Sequence, residues 1–386
     1  MKEGVYLKDN RNLFQTIRFI ALSSIGGLVL SLTGLSIGWI IGTLIMAALL
    51  SITKPQFLKL PEGQQGISRK WMNVGQLILA IELGQSINLS VLHTLRDNWN
   101  TIVIMLVFSI ILSLLSGFVL WKFSNTDMLT SLFGTAPGGI AAMPSIAEEL
   151  GANTAVVSII QTMRIFLVIF TVPILASSWY HNHVEQAVSL SNPATITAPE
   201  FELSQLLWTA LLALGAWAGI YVAKYVKIPA PWLVGGMIGA ASVQMLSTFI
   251  SGHEMIAWWP NLAMILSQIF IASCVGSRFY KGMFEGIRKT LIISLFSTLA
   301  LIMCMLLCAL FVAKVTGISL LTSLLAFAPG GVAEMATTAA VLNADATFVV
   351  AVQVLRIVVV CITLPPLFRL LNSWEVRRMK SSRLSA

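Results

Sequence analysis

The chain has 386 residues, of which 57% are hydrophobic and only 10% charged, with a formal net charge of +8. A soluble domain carries about a quarter of its residues charged, so this balance excludes a soluble globular protein. Spread over many apolar runs of about 20 residues, it defines an all-α polytopic membrane protein. The positive charge lies in short clusters between the apolar runs, where the positive-inside rule puts it; no direct nucleic-acid partner is expected.

In chain order, ten segments read as spans: 14–33, 37–53, 71–92, 100–121 and 153–176, then 205–223, 231–250, 260–277, 290–313 and 345–368. The first is expected to stay in place, because it is long, lacks a small-residue cleavage site and is followed by many more spans. Two further segments, 127–150 and 319–342, are rich in Gly, Ala, Ser and Thr and are broken by Ala-Pro-Gly-Gly. The four cysteines (Cys274, Cys304, Cys308, Cys361) sit within apolar segments and read as small core residues. His181 and His183 form a spaced pair in a hydrophilic linker, and His93 and His253 also fall outside the spans. No metal centre, P-loop, nucleophile elbow or dinucleotide fingerprint is present in the sequence, so neither a cofactor nor an enzymatic activity is expected.

The chain repeats itself. An offset of 192 carries Ala136-Pro137-Gly138-Gly139 onto Ala328-Pro329-Gly330-Gly331, Gln161 onto Gln353, Arg164 onto Arg356, and Gln76 and Gly84 onto Gln268 and Gly276. After a one-residue slip, Trp39 and Gly42 map to Trp232 and Gly235. The expected organisation is a first membrane repeat over 1–176, an extracytoplasmic linker over 177–204, a second repeat over 205–368 and a basic cytoplasmic tail over 369–386.

Charge settles how the two broken segments are read. If they are re-entrant and both termini are cytoplasmic, nearly every Lys and Arg falls on the cytoplasmic face. Only Arg96 and Lys314 then lie outside, with Arg164 and Arg356 inside the membrane. If both segments span instead, much of that asymmetry is lost. An odd number of spans per copy then predicts two inverted repeats, each of about five transmembrane helices plus one re-entrant or broken helix.

Three constellations could carry chemistry. Pro137, Gly138 and Gly139, with Pro329, Gly330 and Gly331, favour unwound backbone, which membrane depth tolerates only inside protein or along a wet cavity. Arg164 and Arg356 lie near mid-span, where an arginine costs roughly 2.5–3.5 kcal/mol to insert. Each must find a carboxylate, backbone carbonyls or a ligand. Gln161 and Gln353, three residues earlier on the same helix face, could share either a substrate-binding or a clamping role. Glu334 and Glu82 break the symmetry, since their counterparts are Ala142 and Cys274. They are candidates for a coupling proton or cation, or for neutralising the arginines.

At these residues the chain resembles the duplicated bacterial membrane AbrB family. The resemblance rests on the two "APGG[IV]AxM" segments, each followed by "QxxR", and on "PAPWLVGGMIGA" at Pro229–Ala240. It covers nearly the full length. Members carry two labels, membrane regulator of gene expression and ammonia monooxygenase; a monooxygenase needs a redox ligand set that this sequence does not offer. The family name is shared with a small soluble DNA-binding regulator that this chain does not resemble. The family is also similar, distantly, to the cation/proton-antiporter and anion-transporter superfamily. The resulting expectation is a multi-pass protein of the bacterial inner membrane whose partners are the lipid bilayer and a small solute, with a homodimer left open. It would be a secondary transporter or exporter of an anionic solute, coupled to a proton or cation. The competing expectation is a membrane-located regulator that senses a ligand at the same site.

Overall fold

The computed structural model describes residues 2–33, 37–53, 66–85, 94, 96–137, 143, 147, 150–187, 203–228, 230–251, 258, 260–280 and 287–384, and the statements below concern these. Among them the regular structure is helical, in thirteen helices. They are α1 (Lys2–Ser31), α2 (Gly38–Thr53), α3 (Arg69–Gln85), α4 (Trp99–Phe123), α5 (Met128–Thr135), α6 (Thr154–Ala187) and α7 (Leu203–Tyr225). Then come α8 (Pro231–Ser251), α9 (Asn261–Gly276), α10 (Arg288–Thr316), α11 (Leu320–Phe327), α12 (Val332–Val341) and α13 (Ala346–Leu384).

Six of these (α1, α4, α6, α7, α10 and α13) contain stretches long and apolar enough to cross a bilayer. Helices occupy the other four expected spans as well, but α2 and α9 have only 16 residues each, about 24 Å of helix against a hydrocarbon core of about 30 Å. Their neighbours are protein: α2 packs on α1 and α9, and α9 also packs on α3. Two helices outrun the sequence expectation. α6 continues to Ala187, into the expected linker, and α13 to Leu384, into the expected tail. Neither extension contains a Gly or Pro to stop it.

The chain forms two compact units. The first comprises Met1–Arg96, Ile169–Gly282 and Val332–Val350. It is built on close helix crossings at glycine. A Cβ on Gly42 of α2 would lie 2.1 Å from the Gly26 carbonyl oxygen of α1, and one on Gly219 of α7 would lie 2.1 Å from the Gly235 carbonyl oxygen of α8. These are equivalent positions of the repeat, and small residues are what membrane helices need for backbones to approach. The pattern also runs reciprocally between the copies. Gly84 of α3 abuts Met237, Ala240 and Ala241 of α8, while Gly276 of α9 abuts Leu44, Ala47 and Ala48 of α2. Gly75 and its own counterpart Ser267 face each other, a Cβ on Gly75 falling 3.0 Å from the Ser267 carbonyl oxygen. The contact of i with j′ is thus matched by one of i′ with j, and one i–i′ pair is itself in contact.

The second unit comprises Asp97–Val168, Met283–Gly331 and Ala351–Ala386. Here α4 packs on α5 and α10, and α10 on α11. A buried apolar cluster joins Leu132, Phe133 and Ala136 to Val157, Val360, Leu364 and Phe368. In it the Phe133 and Phe368 rings meet edge to face with centroids 4.6 Å apart.

Replacing Gly42 or Gly235 with valine places a side chain where the neighbouring backbone already lies. Overpacking of this kind costs about 1–3 kcal/mol or more, so either variant should lower the thermal-unfolding midpoint of the purified protein by several degrees. Gly317→Ala, at a left-handed helix end with φ 72 and open space around it, should lower it less.

Candidate functional site

The two broken segments are made by the same local rules. α5 begins at an N-cap, with the Thr130 amide donating to Asp127 Oδ2 at 2.9 Å, and α11 begins at the equivalent cap, with the Thr322 amide donating to Ser319 Oγ at 3.2 Å. Both helices last eight residues, about 12 Å. Both end because the residue before a proline is driven from helical to extended backbone: Ala136 has φ −61 and ψ 131, and Ala328 has φ −54 and ψ 138.

Downstream, Gly151 (φ 80) and its counterpart Asn343 (φ 53) are both left-handed, glycine and asparagine being the residues that tolerate that conformation. α6 and α13 are then capped at equivalent residues. The Val156 amide donates to Asn153 Oδ1 at 3.2 Å, and the Phe348 amide to Asp345 Oδ1 at 2.9 Å.

A helix of eight residues that stops inside a membrane leaves its last carbonyls without partners and without water. The glutamine and arginine of the following long helix supply the missing donors. Gln161 Nε2 donates to the Phe133 and Ala136 carbonyls at 2.8 and 3.1 Å; Gln353 Nε2 donates to the Leu325 and Ala328 carbonyls at 2.9 and 3.1 Å. Arg164 Nη1 donates to the Thr135 and Ala136 carbonyls at 2.6 and 2.9 Å. Arg356 Nη1 donates to the Ala328 carbonyl at 2.6 Å and its Nη2 to the Gly330 carbonyl at 2.9 Å. Within each pair, Arg164 Nη2 reaches Gln161 Oε1 at 3.4 Å and Arg356 Nη2 bonds Gln353 Oε1. Ser113 of α4 adds a bond to the Thr135 carbonyl at 2.7 Å. The three-residue spacing of QxxR thus aims two side chains of one helix face at one helix end, where positive charge also suits the dipole.

Of the two roles left open by the sequence, the geometry of Arg164 and Arg356 is that of the clamp. The clamp is incomplete. Among the described residues, Nε of each arginine is buried without a hydrogen-bond partner, although the residues are only 3% and 2% exposed. Burial is the main electrostatic burden on both guanidinium groups, and Arg356 also feels the charge of Arg164. Among the described residues, no carboxylate is paired with either one.

Other predicted residues are placed as follows. Pro137 and Pro329 are buried and Gly330 and Gly331 are partly exposed, all in the second unit. Gly138 and Gly139 lie outside the described residues. Glu334 and Glu82 belong to the first unit. Glu334 is 4% exposed in the first turn of α12 and feels the charge of Arg278. Glu82 is partly buried on α3, which α12 touches. The sequence did not single out the pairing of Ser113 with the Thr135 carbonyl, because its only signal is a serine in an otherwise apolar span.

Fold and site define a polytopic helical membrane protein built around two proline-broken, arginine-capped segments. A family model described as "Transition state regulatory protein AbrB" matches residues 39–372, and the chain belongs to that family. It is 50% identical over 366 residues to "Uncharacterized protein YhjN" of Bacillus subtilis (strain 168), covering 95% of each chain. It is 27% identical over 357 residues to "Putative regulator AbrB" of Escherichia coli (strain K12), covering 91% of this chain and 97% of that one.

Gln353→Leu takes the side-chain donor from the buried Leu325 carbonyl, while the Ala328 carbonyl keeps its bond from Arg356, at a cost of about 1–3 kcal/mol. The purified variant should melt measurably below the wild type, and Gln161→Leu should do the same. An unchanged melting point in both would mean that these caps do not hold the broken segments.

Proposed function

We propose that this chain is a secondary transporter of a small anionic solute in the bacterial inner membrane, with both termini cytoplasmic and two inverted repeats. The observation that carries the reading is the pair of buried arginines with no paired carboxylate among the described residues and with one unbonded Nε–H each. Two like charges kept from water are costly. An anion accepting from both Nε–H groups would offset that cost and fill the remaining donors. Arg164 and Arg356 hold the broken backbone and attract the solute; Gln161 and Gln353 fix the arginine rotamers. The backbone at Pro137 and Pro329–Gly331 lines the approach.

The reciprocal packing of α3 on α8 and α9 on α2 supports a two-fold between the copies, and the charge pattern supports inversion. Such repeats are a common plan of secondary transporters that move one bundle against another. The unmatched acids, Glu334 first and Glu82 second, are the groups proposed to carry the coupling proton or cation. The name of the Escherichia coli relative supports a second reading, a ligand-sensing membrane regulator using the same arginines.

Reconstituted vesicles separate the two. A trapped pH-sensitive dye should report flux when small carboxylates and oxyanions are presented across a proton gradient. Arg356→Lys should keep the fold, because an ammonium still reaches the carbonyls, yet lose at least about tenfold in flux, since it has no Nε–H fork. Glu334→Gln should abolish the dependence on the gradient. Anion-induced stabilisation without flux would favour the sensor, and a tag near position 183 found in the cytosol would rule out the inverted topology.

A further inference from the structure

The second unit carries a groove that the proposed solute site does not use. It lies between α4 and α10, encloses about 670 Å³, and is walled by Leu115, Val119, Phe123, Ile292 and Phe296 among others. Its polar wall atoms are largely spent on each other, Ser116 and Ser297 being joined by a 2.7 Å hydrogen bond. The side chains that form it face outward: Leu115 is 54% exposed, Phe123 56% and Phe296 65%. Such a surface on a membrane protein faces lipid.

Its charge is what makes it more than a lipid-facing surface. Lys289 is one of the lining residues. The Lys122 ammonium lies 6.0 Å from the ring centroid of Phe123, another lining residue. Arg288 adjoins Lys289, and all three cations are exposed. The topology read from charge puts them together on the cytoplasmic face, where anionic lipid gathers and basic side chains hold it. An apolar trough with a cationic mouth matches one molecular shape at this depth, an acyl chain below a negatively charged phosphate.

We propose that the groove between α4 and α10 binds one anionic phospholipid, its acyl chain along Leu115, Val119 and Phe296 and its headgroup phosphate held by Lys122 and Lys289. The binding is independent of the arginine site, so its failure would leave the transport reading untouched.

Native mass spectrometry of the full chain in detergent, with phosphatidylglycerol or phosphatidylcholine of matched tails added, tests it. The wild type should retain phosphatidylglycerol preferentially, and each lysine removed should weaken that preference roughly fivefold. Lys122→Glu with Lys289→Glu should abolish the selectivity. Lys224→Glu, which removes a cation stacked on Trp232 at 4.4 Å in the first unit, should keep it. Ala300→Phe, which fills the groove, should lose both lipids. Equal retention of the two lipids by the wild type, selectivity surviving the double lysine variant, or a groove occupied by a second copy of the chain with no lipid retained would each overturn the proposal.

Discussion

Hydrocarbon gives a carbonyl nothing to bond to, and that constraint organises the second unit. α5 and α11 end among buried residues, and the prolines that end them also remove an amide that could have continued the ladder. The carbonyls left over need donors that bring no water, and side chains meet Phe133, Thr135 and Ala136 in one copy and Leu325, Ala328 and Gly330 in the other. Glutamine and arginine three residues apart on the next helix do this twice, with distances that agree between the copies to within about 0.1 Å for the glutamines. The insertion cost of a mid-membrane arginine and the cost of an unsatisfied helix end are each several kcal/mol when isolated. Brought together, each supplies what the other lacks.

Much of this was legible beforehand, for reasons that differ by element. The breaks at Pro137 and Pro329 could be read from residue type, because proline acts on its neighbour's backbone whatever the tertiary context. The duplication was legible because an offset survives without knowledge of the fold. The structure then showed the copies matched below the level of sequence identity: Gly151 and Asn343 are different residues in one conformation, and Asp127 and Ser319 different side chains making one cap. The spans read as 153–176 and 345–368 agree with the apolar stretches Thr154–Ala176 and Ala346–Phe368, while the helices run on to Ala187 and Leu384, since hydropathy marks where lipid-facing residues stop and says little about where a helix stops. The short α2 and α9 were read as ordinary spans because their sequences are apolar; that their surroundings are mostly other helices is a property of packing.

The site was half legible. Sequence identified Arg164 and Arg356 and the glutamines beside them, and could not choose between ligand and backbone as their partner. The choice depends on which atoms lie within about 3 Å, and no pattern of residue types encodes it. The structure gives Nη1 of Arg164 and both Nη atoms of Arg356 to backbone carbonyls and leaves Nε over, so the arginines tie the broken segments to the long helices. The acids tell the opposite story: Glu334 and Glu82 stood out because the repeat fails at them, and asymmetry within a duplicated chain is visible in one dimension.

The spacing of the caps has a consequence for how the protein is made. The carbonyls of α5 are synthesised some twenty-five residues before Gln161 and Arg164, and those of α11 as far ahead of Gln353 and Arg356. During that interval the broken helix end is without these donors, and an eight-residue helix of about 12 Å is too short to cross a hydrocarbon core of about 30 Å by itself. The cap can close only once the long helix behind it has also been made, and this holds in each half of the chain.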